Sequence, residues 1–194
     1  MKGTKISALI LAAVLGTTAL TACSNGKKPV SSDVSIIASQ GQGGFNGDSR
    51  FVADPDAESK NYFFKHNDVN VVIGIPIKKV LPGLGNNYTV VPAANCAGQG
   101  TAYNYTFNGG SFTIETTPYN GEDYITGIAL GNDSVSTAEG ICIGNTIDQV
   151  KTTYGEANPD DSTDDTWVYD KGSSRISIGF TDQKVSSIYY QAKM

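Results

Sequence analysis

The phrase "IGIPIKKVLPGLG" at residues 73–85 returns as "IGNTIDQVKTTYG" at residues 143–155, and that doubling constrains the chain more than any other feature. In the first copy Ile73, Ile77, Val80 and Leu84 are spaced by four, three and four; Ile143, Ile147, Val150 and Tyr154 keep the same spacing in the second. This rhythm lines one face of a helix. Gly85 and Gly155 follow the last apolar position of each copy, where a helix favours a left-handed residue. In the second copy Thr146 and Gln149 have the spacing of a capping box. The first copy departs from this: Pro76 is tolerated near a helix start, but Pro82 should end or kink the helix early.

The parallel continues past the phrases. Residues 102–107 (AYNYTF), 111–117 (SFTIETT) and 123–130 (DYITGIAL) follow the first; 166–170 (TWVYD), 175–180 (RISIGF) and 184–191 (KVSSIYYQ) follow the second. Each set reads as three period-2 strands joined by turn residues, with a lead-in strand at 68–74 and 139–144. One unit of about 60 residues buries only about 60% of its extended surface, so two units must support each other. The expected fold class is therefore α+β: two tandem helix-plus-antiparallel-meander repeats, 62–134 and 135–194, forming a two-layer body. Strand parity assigns Tyr103, Tyr105, Phe107, Phe112, Ile114, Trp167, Tyr169, Ile176, Ile178 and Phe180 to the core. The opposite sheet face then presents Asn104, Thr106, Thr113, Glu115, Val168, Arg175, Ser177 and Tyr189 as the candidate ligand-binding surface. Tyr189 among them, and Val185 beside it, rest on a weaker pattern, because the last strand of each unit is apolar on both parities. A polar face of this kind is equally the ordinary side of an antiparallel sheet open to water.

The first residues, "MKGTKISALILAAVLGTTALTAC", combine a basic start, an apolar run and small residues before a cysteine. This is the pattern of a signal peptide over 1–22, and "LTAC" resembles the lipobox of bacterial lipoproteins. The resemblance implies lipidation at Cys23 and a membrane-anchored, extracytoplasmic protein. Residues 23–61, rich in Ser, Gly, Asn and Asp, read as a flexible tether. Removing Lys2 and Lys5 leaves 12 basic against 19 acidic side chains, a net charge of −7, which offers no electrostatic footprint for nucleic acid. Outside the cytoplasm Cys96 and Cys142 can form a disulfide; two buried thiols are the alternative.

Chemistry-bearing patterns are sparse. His66 is the one histidine, no Gly-x-Ser-x-Gly elbow occurs, and Cys142 lies in an apolar context. An unrecognised hydrolase would have to rely on His66 or Glu115. The run "NPDDSTDDTW" at 158–167 offers carboxylates to calcium but lacks the glycine-turned spacing of an EF-hand and reads as a solvated loop. No catalytic residue, resident metal or cofactor is expected.

The second phrase with "WVYD", "RISIGF" and "KVSSIYY" resembles the helix and meander of the β-lactamase-inhibitory-protein-like fold, whose pattern the BamE-like envelope lipoproteins share. The tandem arrangement is similar to the inhibitory proteins themselves and to uncharacterised surface lipoproteins of Gram-positive bacteria. The resemblance covers residues 68–192 and implies a binding or assembly role without naming what is bound. The expected function is a non-catalytic binding module for a protein or cell-envelope ligand; the alternative is a structural accessory of an envelope complex.

Overall fold

The computed structural model describes residues 57–95 and 100–193. The expected signal segment, Cys23, the tether up to residue 56 and Cys96 lie outside the described residues.

A short helical turn α1 (Ala57–Lys60) precedes a hairpin of β1 (Phe63–His66) and β2 (Val69–Val72). Strands β3 (Tyr88–Ala93), β4 (Ala102–Phe107), β5 (Phe112–Tyr119) and β6 (Glu122–Leu130) follow. Helix α2 (Ile147–Tyr154) then leads to β7 (Thr166–Lys171), β8 (Ser174–Thr181) and β9 (Lys184–Ala192). Strands β3 to β9 form one seven-stranded antiparallel sheet in the order β3-β4-β5-β6-β9-β8-β7. The two meanders join where β6 pairs with β9, from Gly127↔Gln191 to Leu130↔Ile188.

This architecture overturns the expected α+β class with its tandem helix-plus-meander repeats. The fold is predominantly antiparallel β, and residues 73–85 contain no α-helix. They form two 3-10 turns, Ile77–Lys79 and Leu81–Gly83. The cause is local. Pro76 stands at the N-cap with no side-chain oxygen to offer, and Pro82 lies in the first turn of the second piece, where it supplies no N–H to continue a helix. The second phrase does form a helix, of eight residues. Thr146 accepts from Gln149 N–H while the Gln149 side chain accepts from Thr146 N–H, completing the capping box, and Gly155 closes α2 at φ +80°.

The phrases share a different device. Gly74 N–H donates to Ile125 C=O at 2.7 Å, and Ile125 N–H donates to Ile75 C=O at 2.9 Å. In the second copy Gly144 N–H donates to Val185 C=O at 2.8 Å, and Val185 N–H donates to Asn145 C=O at 2.8 Å. Gly74 and Gly144 have φ of +90° and +89°, a conformation that a side chain would strain. Each "IG" therefore turns the chain so that the next residue docks on the last strand of its meander, β6 in the first copy and β9 in the second. The apolar stripe still points inward: Ile77, Val80, Leu84 and Val150 are buried in one core with the inner sheet face.

The six strands expected from alternation all form, while β1 and β3 were not anticipated. Residues 139–144 are turns with an isolated bridge rather than a lead-in strand, and β2 pairs with β1. The parity assignment of the core holds for Phe107, Phe112, Ile114, Tyr169, Ile176, Ile178 and Phe180. Tyr105 and Trp167 are partly buried against that core, and Tyr103 is half-buried. The folded part begins before residue 62, because Asn61 is buried and its Oδ1 accepts from Ser173 N–H at 2.8 Å. Tyr62 N–H donates to Ser174 Oγ at 2.7 Å beside it, tying the start of the fold to the β7–β8 turn.

Candidate functional site

The 3-10 turns and α2 contribute buried residues to the core that lines one side of the sheet, which leaves the other face as the candidate surface. Strand register places all eight selected residues there, in two neighbouring cross-strand rows. One row runs Val168–Ser177–Tyr189–Ala129–Thr113–Thr106. The other runs Asp170–Arg175–Gln191–Gly127–Glu115–Asn104.

At the middle of the second row the side chains of two strands meet over a third. Tyr189 Oη on β9 donates to Glu115 Oε2 on β5 at 2.7 Å, directly above Gly127 of β6. A Cβ at Gly127 would overlap the Tyr189 hydroxyl and lie 2.7 Å from Glu115 Oε2, so the pair requires glycine beneath it. The β5–β6 register shifts between Glu115 and Thr116, a bulge that re-aims the local side chains. Thr126 Oγ1 lies beside the bulge, 3.4 Å from Glu115 C=O and 3.3 Å from Thr117 Oγ1. Partial burial, reinforced by the Glu115 carboxylate that accepts its proton, pushes the Tyr189 phenol well above its ordinary range. Tyr189 is therefore a neutral donor at any physiological pH. Thr106 and Thr113 share a hydroxyl hydrogen bond at 3.2 Å farther along the face.

The other end of the face carries charge. Arg175 Nε donates to Asp170 Oδ1 at 2.8 Å, and its Nη2 donates to Asp161 Oδ2 at 2.5 Å and to Asp170 Oδ2 at 3.1 Å. Lys193 Nζ lies 3.2 Å from Asp170 Oδ2. The Arg175 guanidinium, with Lys193, holds the Asp170 carboxyl down to about 2. Because the folded value is depressed, the stabilisation is complete above the ordinary carboxylate range near pH 4 and is lost as pH falls towards 2. The expected loss is about 1–2 kcal/mol, allowing for the partly exposed Asp161. Urea unfolding of the wild type and Asp170→Asn at pH 6 and pH 2.5 checks this. The variant should lose less stability between the two pH values than the wild type.

Several expectations need correction. Val168 lies in the outer row but is 5% exposed, so it offers little to a ligand. The loop before β7 closes over that strand's free edge: Val168 N–H donates to Ser162 Oγ at 3.0 Å, and Asn158 N–H donates to Val168 C=O at 2.8 Å. Val185 pairs with Phe180 after a second register shift and is buried in the core, not on the open face. Arg175 is engaged with two carboxylates rather than free to greet a ligand.

His66 packs its ring 4.8 Å from Phe112 and stacks on Phe64, and burial lowers its pKa, leaving it neutral at pH 7. Glu115 is bonded to Tyr189, not to His66. Cys142 is half-buried, while its possible partner Cys96 lies outside the described residues. In the acidic loop Asp161 bonds Asn158 and Arg175, and Asp165 C=O accepts from Phe180 N–H, so these residues serve the fold. Among the described residues no group of three metal-ligating side chains occurs and no helix is long and apolar enough to cross a membrane.

Sequence parity missed Gly127, Gln191 and Asp170. A glycine inside the "DYITGIAL" strand pattern was the available signal for Gly127, since interior strand glycines mark bulges and close approaches. Gln191 follows from Tyr189 by a step of two once the parity of β9 is known.

In comparisons with known proteins, no family model, no curated protein and no solved structure matches the chain.

Proposed function

We propose that the chain is a membrane-anchored extracytoplasmic lipoprotein whose open sheet face is a non-catalytic binding module for a protein or cell-envelope ligand. One observation carries this reading: the Tyr189–Glu115 pair seated over Gly127 at the centre of that face. Here the glycine, the bulge and the pair together hold a neutral phenol and a carboxylate in fixed positions, flanked by Asn104, Thr113 and Gln191. Such preorganised polar groups beside an aromatic ring suit recognition, because little side-chain freedom is left to lose on binding.

Retention of envelope material on the immobilised lipid-free chain tests it. The wild type should retain a component that Tyr189→Ala and Glu115→Ala each bind at least tenfold more weakly, the size expected for a central contact. Retention by both variants equal to that of the wild type, or none by the wild type, contradicts the reading.

A further inference from the structure

The 3-10 turns cross the inner sheet face from one side to the other. Pro76 bridges to Tyr124, at the end of β6 that β9 does not reach, and the chain arrives at β3 with Tyr88, opposite Phe107. Between those points Ile77, Val80 and Leu84 are buried in the core. One corner of the inner face lies beside this crossing and stays partly open. Val90 is 43% exposed there, and Tyr103, Tyr105 and Asp123 are half-buried.

Register fixes which side chains share the corner. Val90 stands opposite Tyr105, which stands opposite the buried Ile114. Tyr103 pairs with Thr116 and Thr116 with the buried Ile125; a step of two farther along, Pro118 pairs with Asp123. All of these positions have the parity of the core. The small Thr116 lies between Tyr103 and β6, and its hydroxyl is already spent on Tyr103 C=O at 3.1 Å. The Tyr88 ring stands 6.0 Å from that of Tyr105, inclined at 47°.

Asp123 is the unbalanced charge of this corner. Its neighbour Glu122 is paired with Lys78, whereas the Asp123 carboxylate has no hydrogen bond and no ion pair among the described residues. Burial raises its pKa. Burial also raises that of the Tyr105 phenol, and the Asp123 charge raises it further, so each side chain lies in the other's field. A partly desolvated carboxylate without a cation is a cost that folding leaves standing. An ammonium group would offset it, and tyrosine faces attract the same group through their ring quadrupoles. An anion would be repelled, and an uncharged ligand would leave the carboxylate uncompensated.

We propose that this corner binds an organic ammonium ion, its charged head between Asp123 and the Tyr103 and Tyr105 rings and its apolar part against Val90. The site lies on the opposite side of the sheet from the Tyr189–Glu115 pair and does not depend on it.

Isothermal titration calorimetry of the full chain in non-ionic detergent tests the proposal, with choline as the probe. Neohexyl alcohol, in which carbon replaces the choline nitrogen, is the uncharged comparison. The wild type should bind choline saturably below about 5 mM and the alcohol at least about tenfold more weakly. Asp123→Asn and Tyr105→Leu should each weaken choline binding by at least about tenfold, and unchanged thermal unfolding curves show that their folds are intact. No saturable choline binding by the wild type in that range, or equal affinity for choline and the alcohol, overturns the proposal. So does wild-type affinity for choline in either variant.

Discussion

Phe112→Ala is expected to destabilise the protein by about 3–5 kcal/mol, a large share of the total stability of a domain this size. Phe112 is fully buried, stacks on Phe107 with centroids 4.6 Å apart, and meets Phe64 and His66 at 4.8 Å each. It is the point where β5 grips the separate β1–β2 hairpin. A two-stranded hairpin is marginal alone in water, so truncating the ring should release β1 and β2 as well as open a cavity. Urea unfolding gives the first quantity, and faster amide exchange at Phe64 and Val71 gives the second. A loss below about 1 kcal/mol would mean that the hairpin is held by something other than this ring cluster.

Gly172→Ala is the second large effect, expected at about 2–3 kcal/mol. Gly172 sits in the β7–β8 turn at φ +59°, and a Cβ there would overlap the Lys60 carbonyl oxygen and lie 2.6 Å from Asn61 Oδ1. The obstruction is backbone, so it cannot rotate away; relief means moving the segment that Asn61 anchors to Ser173. Gly121→Ala is the control. That glycine has φ +80° with open space around its missing Cβ, so the substitution carries strain alone, about 1 kcal/mol. The difference between the two variants in urea unfolding isolates the contact.

Alternation was legible in the sequence because it is a direct consequence of strand geometry: "RISIGF" buries Ile176, Ile178 and Phe180 wherever the strand is placed. The same rule gathered the open-face residues before their register was known. Helix formation in the first phrase was misread for a physical reason. The four-three-four stripe of Ile73, Ile77, Val80 and Leu84 reports burial on one side, and two 3-10 turns, the second containing Pro82, satisfy it as well as an α-helix does. The β3 strand was hidden because "YTVVPA" contains a proline that only an edge position tolerates, and being an edge is a property of the whole sheet. The Tyr189–Glu115 pair spans 74 positions of chain and became visible only when β6 and β9 were seen to be neighbours. The doubled phrase repeats a glycine turn that docks the chain on a strand, and only its second copy repeats into a helix.

The proposed function requires the open face to be the surface that meets a ligand in the cell. Thr113→Cys, on that face, and Thr152→Cys, exposed on α2, can each be labelled with a membrane-impermeant maleimide on intact cells and on the detergent-solubilised chain. The expected result is labelling of Thr113→Cys that is at least about tenfold slower in cells than in solution, as an occupied face would give, with Thr152→Cys reacting alike in both. Equal rates for Thr113→Cys in the two settings would contradict it.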